Sequence, residues 1–242
     1  MASKPKGLAK VWREIKRPFR RHKWVGPDQW EGTHGDHNCE FYENLTKFYD
    51  DLAILDRCQI LQKYPHFIKR VEPVCSFASG IVLEIGCGNG NVTRWMNEVG
   101  PIERIYSIDL FEKPIMQLKS RCYSKVIPIC CDVTKSNLSQ WIVDDKIDTI
   151  VLCEVIEHMH QHLENEILES IRSYIHPPVI ENNIVRSGTK YVVGTPIGFM
   201  RDPHHCRGFS KKEFITHLEK YYGTIDSIHY NGVHQTACGW FR

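Results

Sequence analysis

An apolar run that breaks into three alternating glycines constrains this chain more than any other feature: Val82-Leu83-Glu84-Ile85-Gly86-Cys87-Gly88-Asn89-Gly90-Asn91. The run has the character of a buried strand, and the turn after it suits glycine. A residue without Cβ takes φ > 0 at no steric cost and lets the main chain come close to a ligand. A helical pattern follows, so the unit reads strand, turn, helix, the opening of a βαβ fold. Where the third glycine falls separates two kinds of nucleotide-binding turn. The dinucleotide fingerprint Gly-x-Gly-x-x-Gly would need glycine at position 91, where this chain has Asn91. A pyrophosphate-binding turn is therefore disfavoured.

From Ser79 onward, short apolar runs alternate with helical patterns, as in a parallel sheet built from βαβ units. Strands are expected at Ile81–Ile85, Ile105–Asp109, Val126–Cys131, Thr149–Glu154 and Tyr191–Thr195. Helices are expected near Val92–Val99, Pro114–Arg121, Ser136–Trp141, Leu163–Tyr174 and Lys211–Tyr222. Two last strands, Ile225–Tyr230 and Thr236–Phe241, flank a turn holding Asn231-Gly232 and read as a closing hairpin. The expected fold is α/β: a doubly wound, mostly parallel seven-stranded sheet with a C-terminal antiparallel hairpin. Before it, Phe41, Leu45, Phe48, Leu52 and Leu55 follow the spacing of an amphipathic helix. The expected organisation is a basic tail over 1–24, a helical cap over 25–78 and the main domain over 79–242.

Charge is unevenly spread. Met1 to Trp24 carries nine Lys or Arg against Glu14 alone, a net +8, so the remaining residues carry −6 of the overall +2. The basic character belongs to the tail, where Leu8, Trp12, Ile15 and Phe19 share a helical face interrupted at Pro18. Such a segment suits attachment to an anionic membrane surface or to nucleic acid. No apolar run approaches the roughly 20 residues of a membrane-spanning helix. The ten cysteines are scattered with no Cys-x-x-Cys pair, and no apolar signal segment follows Met1, which points to reduced thiols in the cytoplasm, with peripheral membrane attachment as an option. Cys130 and Cys131 read as packing residues of a buried strand.

Glu84-Ile85-Gly86-Cys87-Gly88-Asn89-Gly90 resembles motif I of the class I S-adenosylmethionine-dependent methyltransferases, in which an acid-x-Gly-x-Gly-x-Gly loop surrounds the methionine end of the cofactor. The resemblance covers Gly80 to about Tyr222. Asp109 ends the second strand 19 residues beyond Gly90, where a carboxylate can accept hydrogen bonds from both ribose hydroxyls. The resemblance places Asp132 at the adenine amino group and adds Cys87, Leu110, Val133 and Cys153 to the cofactor contacts.

After the fourth strand comes Cys153-Glu154-Val155-Ile156-Glu157-His158. Carboxylates and an imidazole at a strand end can remove the acceptor's proton, or hold a divalent cation that acidifies the acceptor. This box resembles two branches, the ubiquinone-pathway O-methyltransferases and the 2′-O-methyltransferases of small-RNA 3′ ends. In the RNA branch two glutamates and a histidine of the box bind Mg²⁺ or Mn²⁺ with a second histidine from a later loop. His205 occupies that place here, Phe209 an aromatic one, and His204 is a substitute. The resemblance thus implies Glu154, Glu157, His158 and His205 as catalytic or metal-holding residues; the donor set suits Mn²⁺, Fe²⁺ or Zn²⁺ better than Mg²⁺. The RNA branch's extended substrate-binding segment has no clear counterpart, and the −6 outside the tail argues against an RNA-binding surface. His217 and His229 read as ordinary helix and strand residues. The expected activity is O-methylation of a hydroxyl on a small-molecule, sugar or lipid-linked acceptor, with an RNA 2′-O-methyltransferase and a non-catalytic adaptor as alternatives.

Overall fold

The computed structural model describes residues 65–198 and 205–242, apart from 89, 100, 145 and 183. The basic tail, the Phe41–Leu55 helix and His204 lie outside the described residues.

Helix α1 (Pro65–Phe77) leads into β1 (Gly80–Ile85), and the chain then alternates: α2 (Asn91–Val99), β2 (Ile102–Asp109), α3 (Glu112–Ser120), β3 (Val126–Cys130), β4 (Thr149–Cys153) and α4 (Gln161–Ser170). A short hairpin, β5 (Val179–Glu181) and β6 (Ile184–Ser187), precedes β7 (Lys190–Pro196), α5 (Lys211–Tyr221), β8 (Gly223–Tyr230) and β9 (His234–Phe241). Seven strands form one sheet in the order β3-β2-β1-β4-β7-β9-β8. Strands β3, β2, β1, β4 and β7 pair in parallel, and β9 runs antiparallel to both β7 and β8. The order reverses between β1 and β4, which places a ligand crevice outside their carboxyl ends.

Strand alternation sends successive side chains to opposite faces. Val82, Ile105, Val151, Val192 and Cys238 pack against α1 and α2 through Ile68, Val71, Val74, Trp95 and Met96. Leu83, Tyr106, Ile150, Tyr191 and Ala237 pack on the other face with Ile167 of α4 and Phe214 and Leu218 of α5. Each fully buried Ile or Leu contributes about 1.5–3 kcal/mol relative to exposure. Helix α5 is fixed at its start by a capping box in which Ser210 and Glu213 exchange hydrogen bonds.

Two expectations need correction. The segment Ser136–Trp141 is not a helix but a single 3₁₀ turn, Leu138–Gln140, because the Asn137 side chain takes the Ser139 N–H and closes a local turn. The third strand is only partly buried: β3 pairs only with β2 at the sheet edge, so Ile129 and Cys131 are buried while Ile127 and Cys130 are exposed. The β5–β6 hairpin was not legible, nor were the bounds of α1, which falls within the expected helical cap. Helix α1 tolerates Pro73 in its interior because its apolar face is held on the sheet by packing. No described cysteine forms a disulfide, and no helix among the described residues is long and apolar enough to cross a membrane.

Candidate active site

Two constellations sit at the carboxyl edge of the sheet, one after β1 and β2, the other after β4 and β7.

The first is the glycine loop. Gly86, Gly88 and Gly90 have φ of +73°, +52° and +80°. A Cβ at Gly86 would stand 2.6 Å from Val155 Cγ2, and one at Gly90 would stand 2.4 Å from Leu118 Cδ1, so these two are small because the protein presses on them. A Cβ at Gly88 would meet nothing within 4 Å, which leaves an open cradle beside Asp109. The Gly88 N–H donates to Asp109 Oδ2 at 2.8 Å, and the Phe111 N–H to Oδ1 at 3.0 Å. Each Asp109 oxygen keeps lone-pair capacity for a hydroxyl. Burial raises the Asp109 pKa against these hydrogen bonds. Glu84 is buried under the loop, with Oε2 accepting from Thr93 Oγ1 at 2.6 Å and Ser107 Oγ at 2.9 Å. Burial pushes Glu84 up to about 7, although both hydroxyls pull the other way. Its hydrogen bonds tie β1 to α2 and β2, making it the loop's foundation.

Of the other expected cofactor contacts, Cys87, Val133 and Cys153 are buried and Leu110 is exposed. Asp132 is committed locally: Oδ1 accepts from the Thr134 N–H at 3.0 Å and its hydroxyl at 2.7 Å, and Oδ2 pairs with Lys135 at 2.9 Å.

The second constellation comes from the Glu154–His158 box. Potential ligand atoms of Glu157, His158 and His205 all lie within 4.8 Å of one another, and the two imidazoles meet edge-on with ring centroids 4.6 Å apart. Glu157 sits on a 3₁₀ turn, Ile156–His158, and is 1% exposed. Neither of its carboxylate oxygens has a hydrogen-bond partner among the described residues, and the neighbouring Thr195 hydroxyl makes no bond of good geometry to it. Burial, then the charge of Glu154, raises its pKa well above the usual carboxylate range.

Glu154 does not join them. Its backbone is left-handed at φ +60°, and its carboxylate is gripped by Arg70 Nη1 at 3.1 Å and by His234 Nε2. Burial pushes this carboxyl up, but the His234 hydrogen bond and the Arg70 charge outweigh it and hold it at about 2. Arg70, Thr195 and His234 carry no motif, and only the packing of α1, β7 and β9 brings them here. His217 is not an ordinary helix residue: it is buried, with Nε2 2.9 Å from Glu164.

An α/β sheet in this strand order, with an open glycine cradle beside a strand-end carboxylate, defines a class I S-adenosylmethionine-dependent methyltransferase. Residues 57–180, about half of the chain, match the family model described as a methyltransferase domain, and the chain belongs to that family. Its relatives include the tRNA N(3)-methylcytidine methyltransferase trm141 of Schizosaccharomyces pombe, 29% identical over 147 residues, which cover 57% of this chain and 54% of that protein. The chain thus spans about half the length of the curated relative it matches. Among solved structures, the DhpI complex with SAH is 15% identical with a TM-score of 0.56 over 86% of this chain and 97% of that one. A TehB-like SAM-dependent methyltransferase from Corynebacterium glutamicum is 15% identical with a TM-score of 0.56, over 85% and 100% of the two chains. Both share the fold.

Proposed function

We propose that the chain transfers the methyl group of S-adenosylmethionine to a hydroxyl of a small-molecule, sugar or lipid-linked acceptor, and that Glu157, His158 and His205 form the acceptor site. The observation that carries this reading is a buried carboxylate with both oxygens unpartnered, next to two imidazoles, at the edge where the crevice opens. Buried polar groups are normally hydrogen-bonded, so such a group marks a place where something else binds.

When bound, S-adenosylmethionine supplies an electrophilic methyl group on a sulfonium. The glycine loop and Asp109 hold the methionine end and the ribose. Glu157, His158 and His205 would orient the acceptor hydroxyl and take up its proton as its oxygen accepts the methyl group. One carboxylate and two imidazoles also suit Mn²⁺, Fe²⁺ or Zn²⁺, and a cation held by them would acidify a hydroxyl. Glu154, clamped between Arg70 and His234, is outside that donor set.

A nucleic-acid acceptor is the second reading. The tRNA-methylating S. pombe relative favours it, as does the +8 of Met1–Trp24, which we assign to attachment on a polyanion or an anionic membrane surface. A screen of tritiated methyl transfer across quinol, sugar, lipid and RNA pools tests both readings. Label in an ether of a quinol, sugar or lipid supports the first, and label in RNA, on a base or on a ribose 2′ oxygen, the second. Calorimetry with S-adenosylhomocysteine serves as the control, since no heat there would remove the cofactor assignment itself. Turnover abolished by EDTA and restored by Mn²⁺ would establish the cation, and turnover indifferent to EDTA would leave proton removal to the side chains.

A further inference from the structure

Two residues beyond His205, Arg207 enters the interior. Its side chain is 9% exposed, and its Nη2 lies 2.7 Å from Oε2 of Glu164, which is fully buried. The guanidinium also donates to the Ile156 carbonyl through Nη2 at 2.6 Å and Nε at 3.2 Å, and to Gln161 Oε1 through Nη1 at 2.7 Å. It lies over the Phe209 ring, 5.2 Å from the centroid. Glu164 is held from behind by the Tyr222 hydroxyl at 2.6 Å and by His217 at 2.9 Å. Burial pushes the Glu164 pKa up, but His217 and Arg207 more than offset it and the net shift is downward.

All three carbonyls of the turn that carries Glu157 and His158 accept hydrogen bonds from this segment. Ile156 O accepts from the Arg207 side chain. Glu157 O accepts from the Cys206 and Arg207 N–H groups at 2.8 and 3.1 Å. His158 O accepts the Cys206 thiol at 3.4 Å. A buried ion pair adds little net stability over apolar packing, so its contribution here is geometric. Only a planar fork of five donors can satisfy a carboxylate, a carbonyl and an amide at once, a task for which lysine is no substitute.

We propose that Arg207, backed by Glu164, is a positioning residue that seats His205 against Glu157 and His158. The inference rests on reading those three residues as the acceptor site.

The test uses Arg207→Lys and Glu164→Gln in the full chain, because Arg207→Ala strands a buried carboxylate and can simply fail to fold. The direct readout is the nuclear Overhauser effect between the His158 and His205 rings in histidine-labelled protein. S-adenosylhomocysteine affinity and the melting temperature monitor the rest of the fold. The expected result is a ring-to-ring signal reduced several-fold in both variants, with cofactor affinity within about twofold of wild type. For an acceptor found by the methyl-transfer screen, kcat should fall on the order of 10- to 100-fold at unchanged KM for S-adenosylmethionine, as misplacement by about 1 Å produces. A full ring-to-ring signal in folded Arg207→Lys and Glu164→Gln would overturn the positioning role. Failure of the acceptor-site reading shows differently: His205→Ala would then keep wild-type turnover, whatever the ring signal does in the Arg207 variant.

Discussion

The two ends of the same sheet edge are built on opposite principles. On the β1–β2 side the buried polar groups are paired inside the protein: Glu84 with Thr93 and Ser107, Asp109 with the Gly88 and Phe111 N–H groups. On the β4–β7 side Glu157 and the Thr195 hydroxyl are buried without hydrogen-bond partners among the described residues. The first half is preorganised, a rigid receptor whose contacts are mostly main chain. The second carries unmet electrostatic demand, which a substrate, proton or cation would satisfy. If the second half is the acceptor site we propose, stability is concentrated in the one and reactivity in the other, as expected where function is held at some cost in stability.

The sharpest way to break this contrast is Glu157→Gln. On the acceptor-site reading turnover falls about 10²- to 10⁴-fold, about 3–5 kcal/mol in the barrier, while the melting temperature holds or rises because a buried group whose ionisation opposes folding is replaced by an amide that cannot ionise. Kinetics and thermal unfolding on one preparation check it, and a melting temperature lowered as much as by Glu84→Gln would erase the distinction between the halves. Next comes Gly86→Ala, whose new methyl must enter Val155 Cγ2 at 2.6 Å from a backbone with φ +73°. Strain and overpacking together should destabilise by about 2–4 kcal/mol. Gly88→Ala meets open space but keeps the strain of a φ of +52°, so it should destabilise less than Gly86→Ala while weakening the cofactor; denaturant melts with and without S-adenosylhomocysteine separate the two.

Asp109→Ala should weaken S-adenosylhomocysteine by about 1.5–3 kcal/mol, the range for hydrogen bonds to a charged group, and calorimetry measures it directly. The last expected effect is a pH dependence. Glu84 is raised from 4.5 to about 7 in the folded protein, so its contribution to stability is fully present below the unfolded pKa and is lost as pH rises through about 7. Relative to Glu84→Gln, the wild type should lose about 3 kcal/mol of unfolding free energy between about pH 4.5 and pH 8. Parallel stability curves for the two proteins would show that Glu84 does not titrate in that window.

The glycine loop was legible in the sequence because its determinants are local. Alternating glycines after an apolar run specify a positive-φ turn at a strand end, and Asp109 follows one βα unit later, a distance fixed by the length of a helix and a strand. The sheet was legible for the same reason, since period and punctuation mark βαβ units wherever they occur. The acceptor half was legible only as a set of reactive residue types. Glu154 and Glu157 look equivalent in the sequence, yet the left-handed backbone at Glu154 turns one carboxylate toward Arg70 and His234 and leaves the other beside His158 and His205. A local hint did exist for the clamp behind them, because Glu164 stands on the helical stripe shared with Ile167 and Ile171, a charge where an apolar residue was due. Its partners Arg207, His217 and Tyr222 are more than 40 residues away in sequence. Which carboxylate is paired and which is left bare depends on contacts among α1, β9 and the segment around Arg207, and only tertiary packing brings those together.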